Sequence, residues 1–201
     1  MPRYYRKRTT RVVKPKKKWA TNLRRIRIDT GTDALGVPSF GGMQVLCANS
    51  AETEFGTVVA PNPTVIKTGN FKVQCDAHIV TSSSAMIRVM MYIMYIPEDV
   101  YVASASEDEA VRAQADYASL RNIVEKHPEW ILAWRQFSSD FLNSNTNLDR
   151  VSFSSRLKRN LNSGDQICAV VLANVDTNIV VGTPISRVII NGTCQFWTCN
   201  N

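Results

Sequence analysis

The clearest periodic signal in this chain is FKVQCDAHIV at 71–80. Phe71, Val73, Cys75, Ala77 and Ile79 alternate with Lys72, Gln74, Asp76 and His78. A period of two places these sets on opposite faces of a strand with one wet side. His78 falls on the wet side, which makes it a surface or interface histidine rather than a catalytic one. VSFSSRLKRNL at 151–161 alternates as well, with Val151, Phe153, Leu157 and Leu161 on one face. Arg159 interrupts that face and predicts a bulge or an exposed strand end. NSGD at 162–165 supplies turn chemistry and the apolar ICAVVLANV follows at 167–175, so the pattern predicts a hairpin. MIRVMMYIMYI at 86–96 differs because both of its faces are apolar. It predicts a strand that lies deep, or one whose second side meets a neighbouring subunit. ISRVIINGTCQFWT at 185–198 puts Val188, Ile190, Cys194 and Phe196 on one face. Weaker strands are MQVLCA at 43–48, TVVA at 57–60 and ILAWRQF at 131–137.

One segment follows a helical period. Ser106-Glu107-Asp108-Glu109 has the Ser-x-x-Glu form of a capping box. Ala110, Ala113, Tyr117, Leu120 and Val124 then recur at helical spacing, Arg121 and Lys126 lie near the end, and Pro128 closes it. This predicts one helix at about 107–126 inserted among strands. Many strands with turn signals and one helix indicate an all-β domain. Periodicity leaves jelly roll, immunoglobulin-like sandwich and closed barrel open.

Charge changes the picture at the N-terminus. The first 28 residues hold twelve Lys and Arg and no acid: Arg3, Arg6, Lys7, Arg8, Arg11, Lys14, Lys16, Lys17, Lys18, Arg24, Arg25 and Arg27. The whole chain has 24 basic and 17 acidic residues, so positions 29–201 hold 12 basic and 17 acidic, a net of −5. The basicity is local. Such a block has too little apolar surface to order itself and acts as an interaction tail. Its natural partner is a dense polyanion. Nucleic acid fits, because neutralising phosphates releases counterions whatever the sequence. An anionic membrane fits less well, since the arm has neither an amphipathic period nor a lipidation motif. A nuclear-localisation signal is the remaining use of such a run. Tyr4, Tyr5 and Trp19 stand among the charges and are candidates to stack on unpaired bases. Trp19 could equally anchor the arm to the domain.

The resulting division is an arm at 1–28, a Gly- and Pro-bearing linker at 29–42 and a single domain at 43–201. No signal peptide is expected, because the N-terminus is basic with no apolar run behind it. The five cysteines form no Cys-x-x-Cys pair, and there are only two histidines, so no metal ligand set is expected. The cysteines read as small buried hydrophobes in a reducing compartment. No Gly-rich phosphate loop, His-Glu-x-x-His or Gly-x-Ser-x-Gly is present, so no catalytic residue and no cofactor is expected. Asn191-Gly192-Thr193 matches a glycosylation acceptor but reads as strand and turn. Arg156 and Lys158 share the polar face of their strand and are further nucleic-acid candidates. A solvated or salt-bridged face explains them equally well.

IKTGNFKVQCDAHIV at 66–80, MYIMYIPE at 91–98, NIVEKHPEWILAWRQ at 122–136 and RLKRNLNSGDQICAVVL at 156–172 stand in that order behind the basic arm. Together they resemble capsid proteins of circovirus-like viruses, which have circular single-stranded DNA genomes. The resemblance covers the arm and most of the domain. It implies an eight-stranded jelly roll, a T=1 icosahedral shell of sixty copies and arms turned inward onto the DNA. It also implies import into the host nucleus through those arms. The arm is richer in Lys than the Arg-dominated arms of many relatives, and it is short. Sixty arms of twelve charges would bring about 720, a large part of what a genome of roughly a thousand or more phosphates requires. Two other classes compete. A cellular or ribosomal-type nucleic-acid binder with a basic tail would ordinarily carry basic residues over its folded part too, and this domain is net acidic. A β-sandwich enzyme or lectin would leave the arm unexplained.

Overall fold

A computed structural model describes residues 19–29, 39–49, 65–80, 87–98, 100, 114–115, 117–137, 146–175 and 187–200. The strands are β1 (Ala20–Asp29), β2 (Ser39–Ala48), β3 (Ile66–Val80), β4 (Ile87–Ile96), the two-residue β5 (Gln114–Ala115), β6 (Ile131–Phe137), β7 (Thr146–Leu161), β8 (Gln166–Val175) and β9 (Arg187–Asn200). One helix, α1 (Tyr117–Lys126), and a 3-10 turn at Pro128–Trp130 precede β6.

The strands form two antiparallel sheets, in the orders β1-β9-β3-β7 and β5-β2-β8-β4-β6. Leaving aside β5, pairing is nested. The first long strand pairs with the last, β1 with β9, then β2 with β8, β3 with β7 and β4 with β6. This is one long two-stranded ribbon folded over itself, with β4–β6 at its closed end. That path defines a jelly roll. Between the sheets lies the main core, including Ile26, Ile28, Phe71, Val73, Met91, Ile93, Phe137, Val171, Ile190 and Phe196, all at most 2% exposed. Phe71 and Phe196 stack across β3 and β9 with centroids 5.9 Å apart. Gly192 lets β9 approach β3 here, since a side chain would collide with the Gln74 carbonyl and Cys75.

Period-two segments form the strands expected of them, and β6 matches ILAWRQF at both ends. The TVVA segment at 57–60 lies outside the described residues.

Four expectations are corrected. First, β7 and β8 do not form a hairpin. β7 pairs with β3 in one sheet and β8 lies between β2 and β4 in the other. Two-sided apolar β8 needs a neighbour on each edge and cover on each face, which an interior position supplies. NSGD is therefore a corner between sheets. Gly164 takes φ 81°, a conformation glycine adopts without steric cost. Buried Asp165 accepts hydrogen bonds from the Asn162 N–H and the Tyr95 hydroxyl, both at 2.8 Å.

Second, the helix is shorter than 107–126. It begins at Tyr117, and Gln114–Ala115 are extended against Gly41 and Gly42 of β2. Ser106 and the acidic triplet lie outside the described residues. The C-terminal end falls where Lys126 and Pro128 place it, and the His127 N–H donates to the Ile123 carbonyl at 2.9 Å.

Third, residues 20–28 are not free arm. They form β1, with Ile26 and Ile28 fully buried, and β2 begins inside the expected linker at Ser39. The alternation Ile26-Arg27-Ile28 carried the strand signal, overshadowed by charge.

Of the two readings of 86–96, the deep strand holds: the second face of β4 is covered within the chain. Val89, Met91 and Ile93 enter the main core, while Tyr92, Met94 and Ile96 join a second cluster with Met43, Cys168, Val170 and Leu120 of α1. No neighbouring subunit is needed to explain its greasy surface.

Fourth, the bulge lies elsewhere. Pairing shifts between Gly69/Lys158 and Phe71/Ser155, with Asn70 at φ 54° opposite Arg156 and Leu157. Asparagine tolerates this left-handed backbone better than most residues. Arg159 instead donates to the Glu129 carbonyl and lies 5.8 Å from the Tyr95 ring.

Candidate nucleic-acid interface

Strand register aligns the outward positions of the β1-β9-β3-β7 sheet into rows. One row is Thr21, Trp197, Gly69 and Lys158; the next is Leu23, Gln195, Lys72 and Ser154. Then come Arg25, Thr193, Gln74 and Ser152, followed by Arg27, Asn191, Asp76 and Arg150. Lys67 and Asn160 extend the pattern beyond Gly69 and Lys158. Arg156, at the bulge, is exposed on the same side of its strand as Ser154 and Lys158. Among the described side chains seven cations thus share one sheet face: Arg25, Arg27, Lys67, Lys72, Arg150, Arg156 and Lys158. Five of these belong to the twelve basic residues beyond position 28. The described acids on this face are at its far end. Asp76 is paired with Arg150 at 3.1 Å, and Asp29 lies beyond Arg27.

The sites expected from sequence divide accordingly. Arg3, Arg6, Lys7, Arg8, Arg11, Lys14, Lys16, Lys17 and Lys18, with Tyr4 and Tyr5, lie outside the described residues. Arg25, Arg27, Arg156 and Lys158 are brought onto one face. Arg24 departs from them. It is exposed but alternates with the core-facing set, and its charge acts on Cys47 of the other sheet, which puts it at the rim between sheets. Trp19 meets Lys158, whose ammonium lies 5.4 Å from the indole centroid. β1 and β7 are the outermost strands of their sheet, roughly 14 Å apart at about 4.8 Å per strand. The two side chains therefore meet above β9 and β3, on the basic face.

Lys67, Lys72 and Arg150 were not singled out in the sequence. Lys72 was visible as wet-side, but only pairing shows which wet sides join. β1 is held at its other edge by Gln44 of β2, whose Oε1 accepts from the Arg27 N–H at 2.8 Å and whose Nε2 donates to the Arg25 carbonyl at 3.1 Å. This fixes Arg25 and Arg27 and blunts an edge strand that would otherwise offer free backbone groups.

The remaining chemistry lies away from this face. All five cysteines are thiols without disulfides. Burial pushes the Cys194 thiol up to about 12 and the Cys47 thiol up to about 11, the latter despite the opposing charge of Arg24. Neither is a reactive thiolate near neutral pH. His127 stacks on Trp130 with centroids 3.8 Å apart and bonds Glu129 at 3.1 Å. Glu129 is held below the usual carboxylate range by a backbone hydrogen bond first and His127 second. Asn191 of the Asn-Gly-Thr triplet is exposed within β9, so that triplet is strand and not turn. Among the described residues no helix is long and apolar enough to cross a membrane.

No known family model matches this chain, and no curated protein matches it in sequence. Solved structures offer distant likenesses. A chain from Desmodium yellow mottle tymovirus is 9% identical with a TM-score of 0.32, covering 99% of this chain and 92% of that one. A bacterial lipoprotein from Bacteroides thetaiotaomicron is 7% identical with a TM-score of 0.36, covering 89% and 84%. One is viral and one bacterial, and at such scores neither bears on function.

Proposed function

We propose that this chain is a viral coat protein. Its jelly-roll domain assembles with copies of itself into a closed shell, and its arm and basic sheet face hold a single-stranded DNA genome on the inner side. The role is structural rather than catalytic and requires no cofactor. The observation that carries this reading is the distribution of charge. A chain that is net −5 beyond residue 28 gathers five of its twelve remaining cations on one sheet face, where Lys158 also meets Trp19 at the start of the described residues. Cations gathered on one open face and an attached tail suit a long phosphate backbone. The resemblance of the ordered blocks to circovirus-like capsid proteins supports the same reading. It suggests sixty copies, a virion location and import into the host nucleus through the arm.

The test is nuclease protection. Full-length protein mixed with circular single-stranded DNA should yield protected DNA. A chain lacking residues 1–18 should remain folded and protect far less. Equal protection by both chains would remove the arm from the account.

A further inference from the structure

The basic face carries an exposed indole at the centre of its most cationic end. Trp197 is 42% exposed and Leu23 beside it 68% exposed, whereas Phe196, its neighbour in the chain, is 2% exposed. Its cross-strand partner on β3 is Gly69, and the space over that glycine is taken by the stem of Lys158. Diagonal neighbours in a sheet lie about 7–8 Å apart. On β3 these are Lys67, which pairs with Cys199, and Lys72, which pairs with Gln195. Lys158 flanks Gly69 from β7 and reaches back to Trp19. The carboxylate of Asp76 is three register rows away, six residues along β9, or roughly 20 Å at about 3.3 Å per residue. An apolar ring is thus set among three lysines with no described acid near it.

We infer that Trp197 is a stacking platform for an unpaired base, with Lys67, Lys72 and Lys158 meeting the flanking phosphates. This rests on the nucleic-acid reading above and adds to it a preference for single strands. Every base offers a π-face, so such a platform is tolerant of sequence, while a paired base in a duplex has its faces already occupied. A second copy of this chain suits the patch less well. Lysines are depleted at the cores of protein interfaces, and an identical face would bring like charges together.

The test compares wild type, Trp197→Ala and Trp197→Phe as full-length chains. A labelled oligo-dT of about twenty residues and a duplex of equal length are titrated by anisotropy at several salt concentrations. Alanine should weaken oligo-dT binding by roughly 5- to 100-fold, and phenylalanine should restore most of it. Duplex affinity and the slope of log affinity against log salt should stay as in wild type, because no charge is removed. Unchanged oligo-dT affinity in Trp197→Ala, with salt-dependent binding retained, would overturn the stacking role and leave the basic face standing. Unchanged affinity with an altered sedimentation pattern would overturn it in favour of a subunit contact. Wild-type protein that shows no salt-dependent binding would overturn both this inference and the reading beneath it.

Discussion

The two outer faces of the sandwich have opposite fates. The β1-β9-β3-β7 face is open and basic, with Lys72, Gln74 and Ser152 exposed along it. The β2-β8-β4-β6 face is apolar, with Met43, Val170 and Tyr92 in one row, and the chain's own helix covers it through Leu120, Ile123 and Val124. Both faces are built from strands of the same ribbon. What separates them is the pattern within each strand. β3 alternates and leaves one side to solvent, whereas β4 and β8 are apolar on both sides and require a second layer. The cover is built by the segment between β4 and β6, the sheet's own closing connection. The open face is then the one left for charge.

The largest effect expected from this contrast concerns β1, which belongs to the open sheet although it is as basic as the arm. Removing residues 1–28 deletes a sheet strand together with Ile26 and Ile28, and cooperative unfolding should be lost. Removing 1–18 should leave the melting temperature unchanged. Calorimetry on both truncations checks this, and equal behaviour would break the division at Trp19. Next, Leu120→Ala should cost about 2–5 kcal/mol, because it opens a cavity under the covering helix. Gln74→Ala on the open face should cost less than about 0.5 kcal/mol. Urea unfolding of the pair measures the contrast, and similar losses would mean that the helix is not a true cover.

Alkaline pH probes the core shared by both faces. The folded Cys194 thiol is raised to about 12 and that of Cys47 to about 11, from an ordinary value near 9. The folded state holds these protons more tightly, so their stabilisation is complete below about pH 9 and is lost as pH rises through 11 to 12. Cys194→Ala should flatten the fall in stability above pH 9, as followed by circular dichroism. The smallest effect belongs to single cations of the open face. Lys72→Ala should change stability by less than about 0.5 kcal/mol while lowering the salt slope for single-stranded DNA by about 0.7. Arg135→Ala, at an exposed position of β6 in the covered sheet, should leave that slope unchanged.

Much of the fold was legible because β strands declare their faces. Lys72, Gln74 and Asp76 were placed on a wet side and remain there, whereas His78, placed with them, has its Nε2 buried, and ILAWRQF was bounded correctly. Partnership was harder to read. VSFSSRLKRNL, NSGD and ICAVVLANV lie in immediate succession, yet their strands belong to different sheets. The turn sequence fixes a change of direction, while pairing is decided by burial that only the whole domain determines. Helix length failed for a related reason, since Ala110 and Ala113 extend the helical period to a stretch adjoining residues that pair with Gly41 and Gly42. The candidate interface was half legible. Arg156 and Lys158 were read from one strand, but joining them to Lys72, Arg25 and Trp197 requires the order of four strands, which no local pattern contains.

Electron microscopy of purified full-length protein, incubated with circular single-stranded DNA across a range of salt and pH, tests the central claim most directly. The account predicts closed, isometric particles of uniform size built from this one chain. A monodisperse species near the 22.5 kDa of a single chain under every condition would contradict it.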